Sequence, residues 1–158
     1  MKRILLPVIL ILSLILSACS VTSTPLQTDL QPDAVSGDSS SPSSDAAMRI
    51  DQQGAIIFEI TPLNLDSPTD TLKFDVVMTT HSIDLIMDLA TLATLTTDTG
   101  VSVDTAVWDA PLGGHHVEGK LIFPATKDGK PILEGATKLT LTIVNVDAPT
   151  RIFEWELK

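Results

Sequence analysis

The chain has 158 residues, 44% of them hydrophobic, with ten basic and twenty acidic side chains and a formal net charge of −10 at pH 7. That balance argues against nucleic acid and against lying flat on anionic lipid, since both require clustered basic groups. A single cysteine excludes a disulfide framework and any cysteine-built metal site.

In chain order, the first element is an address. Met1-Lys2-Arg3 is basic, Ile4 to Leu16 is apolar apart from Pro7 and Ser13, and Leu16-Ser17-Ala18-Cys19 ends the run. At about 1.5 Å per residue the apolar stretch covers about 20 Å, short of the roughly 30 Å hydrocarbon layer. It therefore suits a cleaved export signal better than a permanent span.

Leu16-Ser17-Ala18-Cys19, behind that basic start and short apolar core, resembles the lipobox of bacterial lipoproteins. The resemblance covers residues 1–20. It implies cleavage before Cys19, a diacylglyceryl group on its sulfur and often acylation of the new amino group. Two or three acyl chains, at about 0.8 kcal/mol per buried methylene, make attachment effectively permanent. The implied location is the outer face of a membrane. With Ser20 rather than aspartate after the cysteine, that is the outer membrane where there are two.

Residues 19–47 follow as a tether of Ser, Thr, Pro, Asp and Gln, centred on Ser39-Ser40-Ser41-Pro42-Ser43-Ser44. Such a composition cannot bury enough apolar area to offset its conformational entropy, so a disordered spacer is expected. Without Lys2 and Arg3 the mature chain keeps eight basic and twenty acidic groups, a net charge of 8 − 20 = −12.

Residues 48–158 read as one all-β domain, an immunoglobulin/fibronectin-like antiparallel β-sandwich of about seven strands. Apolar residues alternate in Ile56–Thr61, Leu72–Met78, Leu139–Ile143 and Phe153–Leu157, the mark of strands with one buried and one wet face. Further runs lie near 85–97, 101–109 and 116–124. Turn residues separate the runs, and Asp128-Gly129 suits a two-residue hairpin because both tolerate positive φ. Short helix fits only around Asp88 to Ala93.

The candidate chemistry lies in three histidines. Even positions are inward from Leu72 to Met78, whereas the apolar positions Ile83, Leu85, Met87 and Leu89 are odd, so a bulge or bend is expected between Thr79 and Ser82, around His81. Gly113-Gly114 then delivers His115-His116 into a strand whose inward set is Val117, Leu121 and Phe123. The same parity predicts His115 inward and His116 outward. If His81 meets one of that pair, Asp84, Asp109, Glu118 or Met78 completes a site for a divalent transition metal or copper, imidazole being suited to zinc, copper or nickel. Parity places Met78 and Met87 in the core. The competing expectation is that His81 and His115 merely bond backbone at strand ends.

No catalytic motif is present. His81, Ser82 and Asp84 are neighbours on one strand and cannot form a Ser-His-Asp relay, and no Gly-x-Ser-x-Gly turn occurs. Thr79-Thr80-His81-Ser82-Ile83-Asp84-Leu85 and Gly113-Gly114-His115-His116 resemble segments of uncharacterised secreted bacterial β-sandwich domains, which implies no activity. The expectation is therefore a non-enzymatic lipoprotein joined to the membrane through Cys19, binding or assisting another envelope protein. The alternative is metal capture by His81 with His115 or His116, with Asp84.

Overall fold

The computed structural model describes residues 47–158. The signal peptide, Cys19 and the tether expected over residues 1–46 lie outside the described residues.

Eleven strands follow in chain order: β1 (Arg49–Asp51), β2 (Ile56–Pro62), β3 (Thr71–Thr80), β4 (Ala93–Thr97), β5 (Ser102–Val103), β6 (Val107–Asp109), β7 (His116–Pro124), β8 (Thr126–Lys127), β9 (Lys130–Pro131), β10 (Lys138–Val144) and β11 (Thr150–Glu156). Each of the seven expected runs supplies a strand. The run near 101–109 breaks into β5 and β6, and β1 and the β8–β9 hairpin are additional. At that hairpin Asp128 has φ 51° and Gly129 φ 77°, the positive pair its two-residue turn requires.

The strands form a five-stranded sheet in the order β1-β2-β3-β7-β6 and a four-stranded sheet in the order β11-β10-β4-β5. Every pairing is antiparallel. The result is the antiparallel β-sandwich that the alternation predicted. Inward residues of the first sheet include Ile56, Phe58 and Ile60 of β2, Leu72, Phe74, Val76 and Met78 of β3, and Val117, Leu121 and Phe123 of β7. The second sheet answers with Leu95, Leu139, Leu141, Ile143, Phe153 and Trp155. Aromatic contacts join the sheets: Phe74 lies 5.4 Å from Trp155 and Phe58 lies 6.3 Å from Phe153, between ring centroids. Each buried Leu, Ile or Phe contributes about 1.5–3 kcal/mol relative to exposure.

Gly119 stands in an inward position of β7 because nothing larger fits. A Cβ there would lie 2.3 Å from the Ala110 Cβ and 2.7 Å from the Asp109 carbonyl oxygen. The missing side chain lets the end of β6 fold over β7, with Trp108 across it.

Register fixes the two ends of the sandwich. At one end stand the start of β2, the end of β3 and the start of β7, since Ile56 opposes Thr80 and Thr79 opposes His116. The second sheet brings Ala93, Val144 and Thr150 to the same end, tied across by the Leu92 carbonyl, which accepts from Val144 N at 3.0 Å. At the opposite end lie Pro62, Thr71, Lys138 and Glu156. Ala47, where the described chain begins, is there too: its carbonyl accepts from Trp155 Nε1 at 2.6 Å, and Arg49 opposes Ile60.

Candidate functional site

All three histidines stand at the end of the sandwich opposite Ala47. β3 leaves its ladder at Thr80, which is buried to 3% exposure, and its hydroxyl accepts from Ser82 N at 3.3 Å. This local turn bends the chain at His81-Ser82, as the parity change requires. Beyond it Leu85 and Leu89 are buried while Ile83 and Met87 pack against the core at partial depth. The segment closes with a one-turn 3-10 helix, Leu89–Thr91, capped by Asp88, whose carboxylate accepts from Ala90 N at 2.9 Å. The short helix expected near Asp88 is this turn.

The loop between β6 and β7 docks against the same segment. Gly113 and Gly114 have φ of 89° and 94°, values that L side chains rarely adopt, so the chain can double back there. Leu85 N donates to the Gly114 carbonyl at 2.9 Å and Gly113 N donates to the Leu85 carbonyl at 2.8 Å. Asp84 Oδ1 accepts from Gly114 N at 2.6 Å, a charge-assisted bond that locks the turn. Thr80 N donates to the His115 carbonyl at 2.9 Å, so the backbones of His81 and His115 are neighbours.

His116 behaves as parity predicted. It is exposed, and its Nδ1 lies 3.0 Å from Thr79 Oγ1 across the ladder. His115 does not: it is exposed rather than inward. Alternation holds only within the paired ladder, which starts at His116, and His115 is still part of the turn that Gly113 and Gly114 impose. His81 is exposed as well. Asp84, Asp109 and Glu118 are exposed but spread over three segments, and Met78 is fully buried in the core. Among the described residues, no three His, Cys, Asp or Glu side chains stand where one ion could join them.

Other polar groups serve the fold. Burial raises the Asp51 carboxyl, but bonds from Gln53 and the charge of Arg151 outweigh it and hold the group below its ordinary range. The Thr137 hydroxyl chiefly holds Asp98 low at the Ala47 end, where Asp98 Oδ1 also accepts from Thr137 N at 3.0 Å. Lys138 and Glu154 displace each other in opposite directions through their 2.9 Å ion pair, Lys138 upward and Glu154 downward. Trp108 Nε1 is buried without a hydrogen-bond partner among the described residues.

Two exposed residues at the histidine end escaped the sequence reasoning. Ile86 is 66% exposed and Leu112 67% exposed. Each carries a local signal: Ile86 is apolar at an outward position between Leu85 and Met87, and Leu112 is apolar inside a Pro-Gly loop. Arg151 was the third omission, a charged residue in the inward register of β11.

No protein-family model matches the chain, and no curated protein matches it. Among solved structures it is similar to a DUF4426 family protein from Pseudomonas aeruginosa PAO1, with 10% sequence identity and a TM-score of 0.38 over 68% of this chain and 92% of that one. A similarity of that size assigns no activity to either site residues or surface.

Proposed function

We propose that this chain is an exported lipoprotein, anchored through Cys19, whose sandwich is a non-enzymatic binding or accessory module for another component of the cell envelope. One observation carries it: the chain enters the sandwich at one end, while the loops bearing His81, Ile86, Leu112 and His115 occupy the other. The ten residues of β3 separate those ends by about 33 Å at roughly 3.3 Å per residue. A tether arriving at Ala47 leaves that far loop end facing away from the membrane, the common arrangement for sandwich domains that bind through one set of loops.

The test is in-cell cross-linking with a photoreactive residue at Leu112 or, as the control, at Leu63, which is 48% exposed near the tether end. A discrete adduct from Leu112 that disappears with Cys19→Ser is expected, with none from Leu63. Equal adducts from both positions, or none from Leu112, would sink the proposal.

A second function, capture of zinc or copper by His81 with His115 or His116, draws support from the Thr80 to His115 backbone bond. That bond brings the backbone at His81 next to that at His115. Calorimetry of the full-length protein with zinc or copper salts decides it. Submillimolar binding abolished by His81→Ala or His115→Ala is expected; an absence of heat with both metals overturns it.

A further inference from the structure

Ile86 and Leu112 are the two most exposed large apolar side chains among the described residues. They come from different loops, yet the bonds between Leu85 and Gly113-Gly114 set them opposite one another. A Cβ on Gly113 would lie 3.9 Å from Ile86 Cγ2, so the two loops are in contact at this point. Beneath them Leu85 and Leu89 are fully seated in the core, and Asp84 locks the glycine turn. The pair is thus held on a fixed frame, unlike scattered surface leucines, which need no explanation.

Within the loops that hold the pair, charge has one sign. The loops of this end, residues 52–55, 81–92, 110–115 and 145–149, contain no lysine or arginine, and they carry Asp84, Asp88 and Asp147. On the adjoining strands Asp109 and Glu118 are exposed, and the one lysine there, Lys120, stands opposite Asp109 and is paired with Asp75 at 3.3 Å. The guanidinium at this end, Arg151, is fully buried and committed to Asp51 and to the carbonyls of Val146 and Gln53. The lysines lie outside these loops: Lys127 and Lys130 on the hairpin, Lys73, Lys138 and Lys158 toward the opposite end, and Lys120 midway along β7. A field of that sign repels acidic partners and attracts cationic ones.

We infer that Ile86 and Leu112 dock a cationic apolar segment of a second envelope protein, an aliphatic side chain flanked by lysine or arginine. The inference rests on the loop-end function proposed above and names the chemistry of its partner. The apolar contact supplies affinity, and the acidic border supplies selection and orientation.

The experiment uses full-length protein in a neutral detergent and fluorescence anisotropy of three labelled dodecapeptides, alternating Lys-Leu, Ser-Leu and Glu-Leu. Saturable binding of the Lys-Leu peptide alone is expected. It weakens at least about tenfold, or about 1.4 kcal/mol, in the double variant Ile86→Ser with Leu112→Ser. The double variant Ile50→Ser with Ile152→Ser removes another exposed apolar pair and should change binding less than about twofold. Unchanged thermal unfolding of both variants certifies the fold. If the Glu-Leu or Ser-Leu peptide binds as well, and still depends on Ile86 and Leu112, the cationic assignment falls while the loop-end function stands. If Lys-Leu binding ignores Ile86 and Leu112, or no peptide binds, docking at this pair is overturned.

Discussion

Arg151 sits in an inward position of β11, at 0% exposure, where alternation calls for an apolar side chain. Its guanidinium lies 4.7 Å from the centroid of the Phe58 ring and is otherwise satisfied: Nε donates to the Val146 carbonyl at 3.1 Å, one terminal nitrogen to the Gln53 carbonyl at 2.6 Å and the other to Asp51. These bonds tie β11 to the β1–β2 turn and the β10–β11 turn at once. Removing one partner of such a pair strands a buried charge, so Asp51→Ala should cost about 3–5 kcal/mol. Removing both, Asp51→Ala with Arg151→Met, should cost less than the single change, because the stranded charge is gone. Urea unfolding followed by tryptophan fluorescence compares the two. The sign of the pH dependence follows from the lowered Asp51 carboxyl. A group held low when folded stabilises fully above its unfolded value, about 3.9, and loses that contribution as pH falls through the lower folded value. Stability in the native chain should thus be flat from pH 7 to 5 and fall below about pH 4, and Asp51→Ala should remove part of that fall.

At the level of the strand, β11 has β10 on one side and an open edge on the other. Open edges invite pairing with another chain. Here side chains from β1 and the β1–β2 turn occupy the edge: Arg49 Nε donates to the Glu154 carbonyl at 2.8 Å and Gln53 Nε2 to the Thr150 carbonyl at 3.2 Å. Between those bonds stands Ile152, 59% exposed. Arg49→Ala with Gln53→Ala should free the edge and produce concentration-dependent self-association by sedimentation velocity, and adding Ile152→Lys should reverse it. A double variant that stays monomeric at high concentration would show that the capping is dispensable. Strands were the legible part of this molecule, since Leu72–Met78 and Leu139–Ile143 announce their buried faces by spacing alone. The bend at His81-Ser82 was legible for the same reason: reversed parity has one physical outlet. His115 was not, because parity stops carrying information where the ladder stops.

Over the whole molecule, charge and connection run along one axis. The described chain begins beside Trp155, and all the lysines but Lys120, midway along β7, lie toward that end or on the β8–β9 hairpin. The far end carries aspartates, histidines and the Ile86–Leu112 pair. If the proposed docking holds, such polarity would orient the module before contact, because a cationic partner is drawn to an acidic face and like charges are turned away. It also makes ionic strength a lever, with attraction fading as the screening length falls below about 10 Å above 0.1 M salt.

By itself the sequence determined what depends on neighbours along the chain: the alternation that makes strands, the parity change that forces a bend, and the Asp128-Gly129 hairpin. Each follows from backbone geometry or a short contiguous pattern. Only the tertiary structure decided which loops share an end, that Asp84 binds the Gly114 N–H, that His115 faces solvent, that Ile86 and Leu112 stand together, and that Arg151 is buried against Asp51. Those depend on register and crossings between residues up to a hundred positions apart, and local periodicity carries no record of either.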